Sequence, residues 1–217
     1  MNCIVTAGPT YEPLDDVRRL TNFSTGRLGT ELANDLVERG HHVTLLIGAQ
    51  ATYHGERSAQ QIETFTTTAD LRERFRSLSA MTVDAIFHAA AVSDFTFGKI
   101  QSRSADGSLA EIQSKKIPTR AGTLLVELVP TPKIIANLRG WFPHTRIVGW
   151  KFEAEGGRTE AIRAAQTQTI DCRTDACVAN GPGYGKGFGL VTGTGTAHFT
   201  DRSMLFEALE KLATGIK

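Results

Sequence analysis

Asn22-Phe23-Ser24-Thr25-Gly26-Arg27-Leu28-Gly29 sets an amide, two hydroxyls and a glycine at the start of a helical pattern, with a cation beside them. Free backbone N–H groups and the helix dipole at such a start favour an anion, a phosphate above all. The same hydroxyls equally make a plain N-cap, Ser24 or Thr25 satisfying the first amides with no ligand present. Upstream, Thr6-Ala7-Gly8-Pro9-Thr10-Tyr11-Glu12-Pro13-Leu14-Asp15-Asp16-Val17-Arg18-Arg19 packs two prolines, three acids and two arginines between a strand and that helix. A loop this long at the carboxyl end of a first strand is where open α/β sheets bind ligands.

Three further stretches carry candidate chemistry. In Ala89-Ala90-Ala91-Val92-Ser93-Asp94-Phe95 the small residues admit a close ligand, and Asp94 is placed to hold a ribose, an amine or a Mg²⁺-bound water, or simply to cap a turn. Ser114-Lys115-Lys116-Ile117-Pro118-Thr119 offers ammonium groups on a polar segment, able to meet a phosphate or an oxyanion when that segment closes, or to sit solvated. Gly149-Trp150-Lys151-Phe152-Glu153 and Val178-Ala179-Asn180-Gly181 end two strands and are suited to a base pocket or to packing at the core edge.

The elements that must position these groups alternate. Residues 2–6 read as a buried strand; Leu28, Leu32 and Leu36 with Ala33 mark a helix that Gly40 stops; residues 42–48 form the next strand. Helices follow at 69–79, 131–139 and 159–169, with strands at 83–91, 124–129, 145–150 and 175–180. A glycine-rich run from Gly181 leads into a hairpin at 188–192 and 196–200 and a closing helix from about residue 202 carrying Leu205, Leu209 and Leu212. The pattern predicts an α/β fold, a doubly wound, mostly parallel Rossmann-like sheet with a C-terminal β-hairpin. Residues 1–217 are expected to form a single domain, with a polar flap at about 96–122.

Composition narrows the function classes. The 217 residues are 41% hydrophobic and 22% charged, ordinary for a folded domain. Lys+Arg at 24 against Asp+Glu at 23 leaves a formal charge of +1, so no global field draws in nucleic acid or an anionic membrane. No apolar run is long enough to span a bilayer and the first residues lack a secretory signal, so a cytoplasmic protein is expected. Cys3, Cys172 and Cys177 form no CxxC pair, and the six histidines show no HExxH spacing, so no protein-held metal is expected. The glycines of GxGxxG are missing between Gly8 and Gly26 and no Walker A pattern occurs, which disfavours an ordinary NAD site.

Taken together these stretches resemble the phosphopantothenoylcysteine synthetase family, the phosphopantothenate–cysteine ligases of coenzyme A biosynthesis, over nearly the whole chain. The most specific part runs from Thr6 to Gly29 and is similar to the family's TAGxTxEPxDxVRxxxNxSxGxxG. Supporting stretches end at Asp94, cover Thr131-Pro132-Lys133-Ile134-Ile135 and Gly149 to Glu153, and include Val178-Ala179-Asn180. With no room for a flavin-binding decarboxylase half, the resemblance is to a stand-alone synthetase.

The resemblance implies a ligase in which the carboxylate of 4′-phosphopantothenate attacks the α-phosphate of a nucleoside triphosphate and Mg²⁺-bound pyrophosphate leaves. The L-cysteine amine then attacks the acyl-nucleotidylate. It implies that Asn22 holds the pantothenate carboxylate and acyl intermediate, that Arg18 serves from the same loop, and that Ser24, Thr25 and Gly26 receive phosphate. Gly8, Thr10, Ala91, Asp94, Lys151, Phe152 and Asn180 are the other implied substrate- or nucleotide-binding positions. The catalytic lysine of the family's KIxx flap motif is matched by Lys116, with Lys115 as neighbour and Lys99, in Lys99-Ile100-Gln101-Ser102, as a second match nearer Asp94. The nucleotide is CTP, or ATP in its place, and a homodimer is implied. Gly181 departs from the family's Ala-Asn-Asp. A nucleotide-binding regulatory module of the same fold and an NAD(P)- or flavin-dependent oxidoreductase are the rival readings.

Overall fold

The apolar run at the start becomes β1 (Asn2–Ala7), fully enclosed after its first residue, and it is an interior strand of the main sheet. The computed structural model describes residues 1–215, so the last two residues of the expected 1–217 unit lie outside the described residues. Beside β1 run β4 (His42–Gly48) and β5 (Gln61–Phe65) on one side, and β6 (Ala85–His88), β10 (Arg146–Phe152) and β11 (Ala176–Asn180) on the other, all parallel. The hairpin of β12 (Phe188–Thr192) and β13 (Gly195–Phe199) continues the sheet antiparallel, completing the order β13-β12-β11-β10-β6-β1-β4-β5. In order of appearance the parallel strands read 3-2-1-4-5-6, the doubly wound arrangement whose direction of growth reverses between β1 and β6.

Helices cover both faces. The leucine stripe of α1 (Arg27–Glu38) joins Val5, Leu45 and Phe87, together with Leu205 and Leu209 of α5 (Arg202–Thr214). Phe75 of α2 (Thr68–Leu78) and Leu138 of α3 (Ile134–Trp141) pack on Ile4, Leu46 and Ile147 of the other face. Ala161 and Ala165 of α4 (Arg158–Cys172) lie on that side against Cys177 and Ala179. All three thiols are free and buried, and burial pushes Cys3 and Cys177 up to about 12, as expected of core residues.

Four expectations are corrected. The long loop after β1 contains a hairpin, β2 (Tyr11–Pro13) with β3 (Arg19–Thr21). The parallel strand β5 was not foreseen. The strand expected over 83–91 stops at His88, because Ala91 leaves the sheet to exchange hydrogen bonds with the first loop: its N–H donates to Gly8 O at 3.0 Å and its carbonyl accepts Thr10 N–H at 3.1 Å. Finally, residues 124–129 do not join the main sheet. They lie in β9 (Thr123–Pro130), which pairs antiparallel with β7 (Phe95–Arg103), itself edged by β8 (Leu109–Glu111), so part of the 96–122 segment lies in a separate three-stranded sheet reaching Pro130. Glu12, buried in the β2–β3 hairpin, ties this sheet down: one carboxylate oxygen accepts Thr68 N–H at 3.0 Å and the other the Thr96 hydroxyl at 3.3 Å.

Candidate active site

A cleft of about 640 Å³ opens over the carboxyl ends of the strands at the point where the sheet reverses. It is lined by residues 22–29 at the start of α1, 88–94 after β6, 131–135 leading into α3, 150–152 at the end of β10, and by Gln168 and Asn180. It therefore gathers Asn22, Ser24, Thr25, Gly26, Ala91, Asp94, Lys151, Phe152 and Asn180. Gly8, Thr10, Arg18, Lys115 and Lys116 are not among the lining residues.

The start of α1 is built by three glycines. Gly26 is the N-cap at φ 82° and brings no side-chain cap, so neither Ser24 nor Thr25 occupies that place. Thr25 Oγ1 still accepts Arg27 N–H at 3.3 Å from one residue further out. A Cβ on Gly26 would stand 3.2 Å from Gly8 N, and one on Gly29 would stand 2.7 Å from Thr6 O, so side chains at either would force α1 away from β1. With Gly8 at φ 78° making the turn, the three let the turn, the start of α1 and the end of β1 pack closely on one another. Residues 9–25 lie between the first of these glycines and the other two. The Arg27 guanidinium at the cleft wall pairs with Glu31 at 2.6 Å and lies 5.7 Å from the Tyr53 ring centre.

Opposite α1, the Asn22 amide donates to Ala91 O at 3.2 Å, which fixes the side chain and leaves its second N–H and its carbonyl oxygen available. Thr10 is buried, its hydroxyl bonded to Thr68 and Ser93 and accepting Ser93 N–H at 2.8 Å, so it fastens the loop after β6 from beneath. Asp94 is exposed at the rim. Lys151 Nζ lies 3.5 Å from Glu153, Phe152 is 65% exposed, and Asn180 holds the chain after β10 by accepting Glu153 N–H on its carbonyl at 2.9 Å.

The glycine-rich run past Asn180 serves packing. Tyr184 plugs the space between α4 and β12, its hydroxyl 2.9 Å from His198 Nδ1 and Arg158 over its ring at 4.9 Å. A Cβ on Gly189 would meet that ring at 2.7 Å. Among the described residues no group of three or more His, Cys, Asp or Glu side chains is placed to hold a metal ion, and no helix is long and apolar enough to cross a membrane.

Lys133, Gln168 and His88 also line the cleft, beyond the residues expected there from the sequence. Gln168 reaches in from α4 and donates to Trp150 O at 3.4 Å, a placement with no local sequence signal. His88, buried at the end of β6, carries Thr6 Oγ1 on its Nδ1 at 2.9 Å. Ala90 N–H donates to the same hydroxyl at 3.0 Å, so Thr6 ties the end of β6 to the chain that leaves it.

Burial lowers the His88 imidazole to about 4 from 6.5. Between those values the unfolded chain binds the proton and the folded one does not, so stability falls as pH falls. Urea unfolding at pH 7 and pH 4 is expected to show wild type losing about 3 kcal/mol more than His88→Gln, which has no proton to take up. Equal losses would show that His88 is not held neutral.

An open doubly wound sheet, with a cleft at its reversal point and the start of α1 in its wall, defines a Rossmann-like α/β protein with a ligand-sized cleft where such folds place their ligands. The chain belongs to the family described as the DNA/pantothenate metabolism flavoprotein C-terminal domain, whose model matches residues 1–214. It is similar to the coenzyme A biosynthesis bifunctional protein CoaBC of Thermococcus kodakarensis, 32% identical over 178 residues that make up 82% of this chain and 40% of that protein. The chain thus spans less than half the length of such curated relatives. In fold it matches the DNA/pantothenate metabolism flavoprotein from Streptococcus pneumoniae, with TM-score 0.86, 23% identity and full coverage of both chains. The Cab2 H337A mutant in complex with phosphopantothenate-cysteine matches with TM-score 0.76 at 17% identity, over 99% of this chain and 86% of that one.

Proposed function

We propose that this chain joins 4′-phosphopantothenate to L-cysteine through an acyl-nucleotidylate, using CTP or ATP as its Mg²⁺ complex. The observation that carries the reading is the meeting of Asn22 with the uncapped start of α1 in one cleft at the sheet's reversal point, in a chain of this family. The bifunctional coenzyme A biosynthesis relatives and the phosphopantothenate-cysteine complex of the Cab2 neighbour support it.

Amide formation from a carboxylate and an amine is uphill in water, so the acid must first be activated. The pantothenate carboxylate attacks the α-phosphate and pyrophosphate departs. The cysteine nitrogen then adds to the acyl carbon, loses a proton, and the nucleoside monophosphate is expelled. Asn22 donates to the carboxylate and acyl oxygens, Ser24, Thr25 and the first amides of α1 receive phosphate, and Asp94 faces them across the cleft. Lys151, Phe152 and Asn180 form the wall for the base and ribose. Lys116, with Lys115 beside it, stabilises the charge of the tetrahedral step; Lys99 lies in β7, its N–H bound to Glu127 at 3.1 Å.

Because Lys116 is not among the residues lining the cleft of its own chain, the reading includes a homodimer in which each flap serves the other copy's cleft. The exposed apolar residues Phe23, Phe95, Leu125, Leu128 and Val129 support an interface there. The test is to incubate the protein with Mg²⁺, 4′-phosphopantothenate and CTP or ATP, follow pyrophosphate, then add cysteine and weigh the product. Pyrophosphate release that depends on the pantothenate substrate, followed by amide, is expected. Folded protein that binds nucleotide yet releases nothing with either would mean a regulatory module instead.

A further inference from the structure

The turn between β2 and β3 and the segment carrying Lys115 and Lys116 lie about a hundred residues apart in the chain, yet they are bonded on both edges. Asp15 Oδ2 accepts Ile117 N–H at 3.1 Å, the Arg18 guanidinium donates to Ile117 O at 2.7 Å, and Asp16 N–H donates to Lys115 O at 2.9 Å. Ser114 Oγ donates to Lys116 O at 2.8 Å, and the Ile117 side chain is buried. The main chain on either side of Lys116 is therefore fixed. Lys116 itself is exposed, and the lysines found in ion pairs among the described residues are Lys151 and Lys211.

The two residues making this connection are locked to each other. Asp15 accepts the N–H groups of Val17 at 2.9 Å and Arg18 at 2.7 Å and pairs with the Arg18 guanidinium through Nε at 3.1 Å and Nη2 at 2.5 Å. The Asp15 side chain has no exposed surface. Arg18 holds its carboxyl well below the usual carboxylate range, so the pair stays charged in mild acid.

We propose that Asp15 and Arg18 are positioning residues: together they form a latch that grips Ile117 on both sides and seats Lys116 on the β2–β3 turn, so that turn and lysine move as one body. The chemical consequence rests on the role given to Lys116 in the proposed ligase reaction, whereas the latch itself does not. Arg18 then acts through the flap, with two of its three guanidinium nitrogens already engaged.

The test compares Asp15→Asn, Arg18→Ala and Arg18→Lys with wild type in two measurements. Amide hydrogen exchange over residues 112–119 is expected to rise about tenfold or more in Arg18→Ala and Asp15→Asn, with protection of β1 and β4 unchanged, and Arg18→Lys is expected to recover part of it. In single turnovers amide formation is expected to slow about tenfold in Asp15→Asn and Arg18→Ala, and Asp15→Asn is expected to keep the pyrophosphate-releasing step and its substrate KM. Unchanged exchange in both Asp15→Asn and Arg18→Ala overturns the latch, whatever the activity. Unchanged exchange with a raised KM for the phosphorylated acid would make Arg18 a substrate ligand instead. A wild type without ligase activity would sink the proposed reaction, while the exchange measurement would still decide the latch.

Discussion

Asn22→Asp is expected to lower ligase turnover by about three orders of magnitude while leaving the fold intact. Asn22 is exposed at the cleft, so the substitution leaves no core cavity, and its one hydrogen bond among the described residues goes to Ala91 O. Aspartate removes the donor that the proposal aims at the substrate carboxylate and acyl oxygen. It also sets a negative charge against a negatively charged substrate and against the Ala91 carbonyl. The loss should appear in pyrophosphate release, because activation already needs the carboxylate in place. Asn22→Ala, which removes the donor without adding charge, is expected to be impaired by about one order less. Turnover near wild type in Asn22→Asp, measured by pyrophosphate release, would remove Asn22 from the chemistry.

Lys116→Gln is expected to split the reaction instead of abolishing it. Pyrophosphate release on mixing enzyme, 4′-phosphopantothenate and nucleotide should persist for one turnover, and amide formation on adding cysteine should fall by about a hundredfold or more, since an ammonium at a developing oxyanion is lost. In the proposed dimer, where each flap serves the other copy's cleft, the two variants should also rescue each other. In a dimer whose flaps serve the opposite copy, a mixture of Asn22→Asp and Lys116→Gln chains forms some pairs with one intact site, returning up to about a quarter of wild-type activity after random exchange. No return of activity in demonstrably mixed dimers would place the lysine's action within its own chain, and full activity of Lys116→Gln alone would transfer the role to Lys115 or Lys99.

The parts of the fold that were legible are those whose signal is local. Apolar runs such as 42–48 and the Leu28, Leu32, Leu36 stripe announce buried strands and a helix face, and their alternation gives the doubly wound sheet. β5 was missed because Gln61-Ile62-Glu63-Thr64-Phe65 is an edge strand with one buried side chain, so it carries no run and little alternation. β9 reads as a strand, but which sheet it joins is decided by pairing with β7, a contact beyond any sequence window.

The site divides the same way. The start of α1 was readable because helix-terminus physics depends on neighbouring residues. The grip of Asp15 and Arg18 on Ile117 was not, since the partners are separated by 102 and 99 positions and neither segment hints at the other. His88 was hidden inside an apolar strand pattern, and only the departure of the chain at Ala89 brings it to the cleft floor.

The split glycine turn has a consequence for how such a protein can vary. Gly8 and Gly26 nearly touch, so the intervening segment leaves and re-enters the framework at a single point. Closing a loop costs only about 0.6 kcal/mol more for each doubling of its length. The tip of residues 9–25 can therefore vary in length at small entropic cost so long as the ties of Thr10, Glu12 and Asp15 to Ser93, Thr68, Thr96 and Ile117 are kept, while the turn at Gly8 and Gly26 keeps its shape.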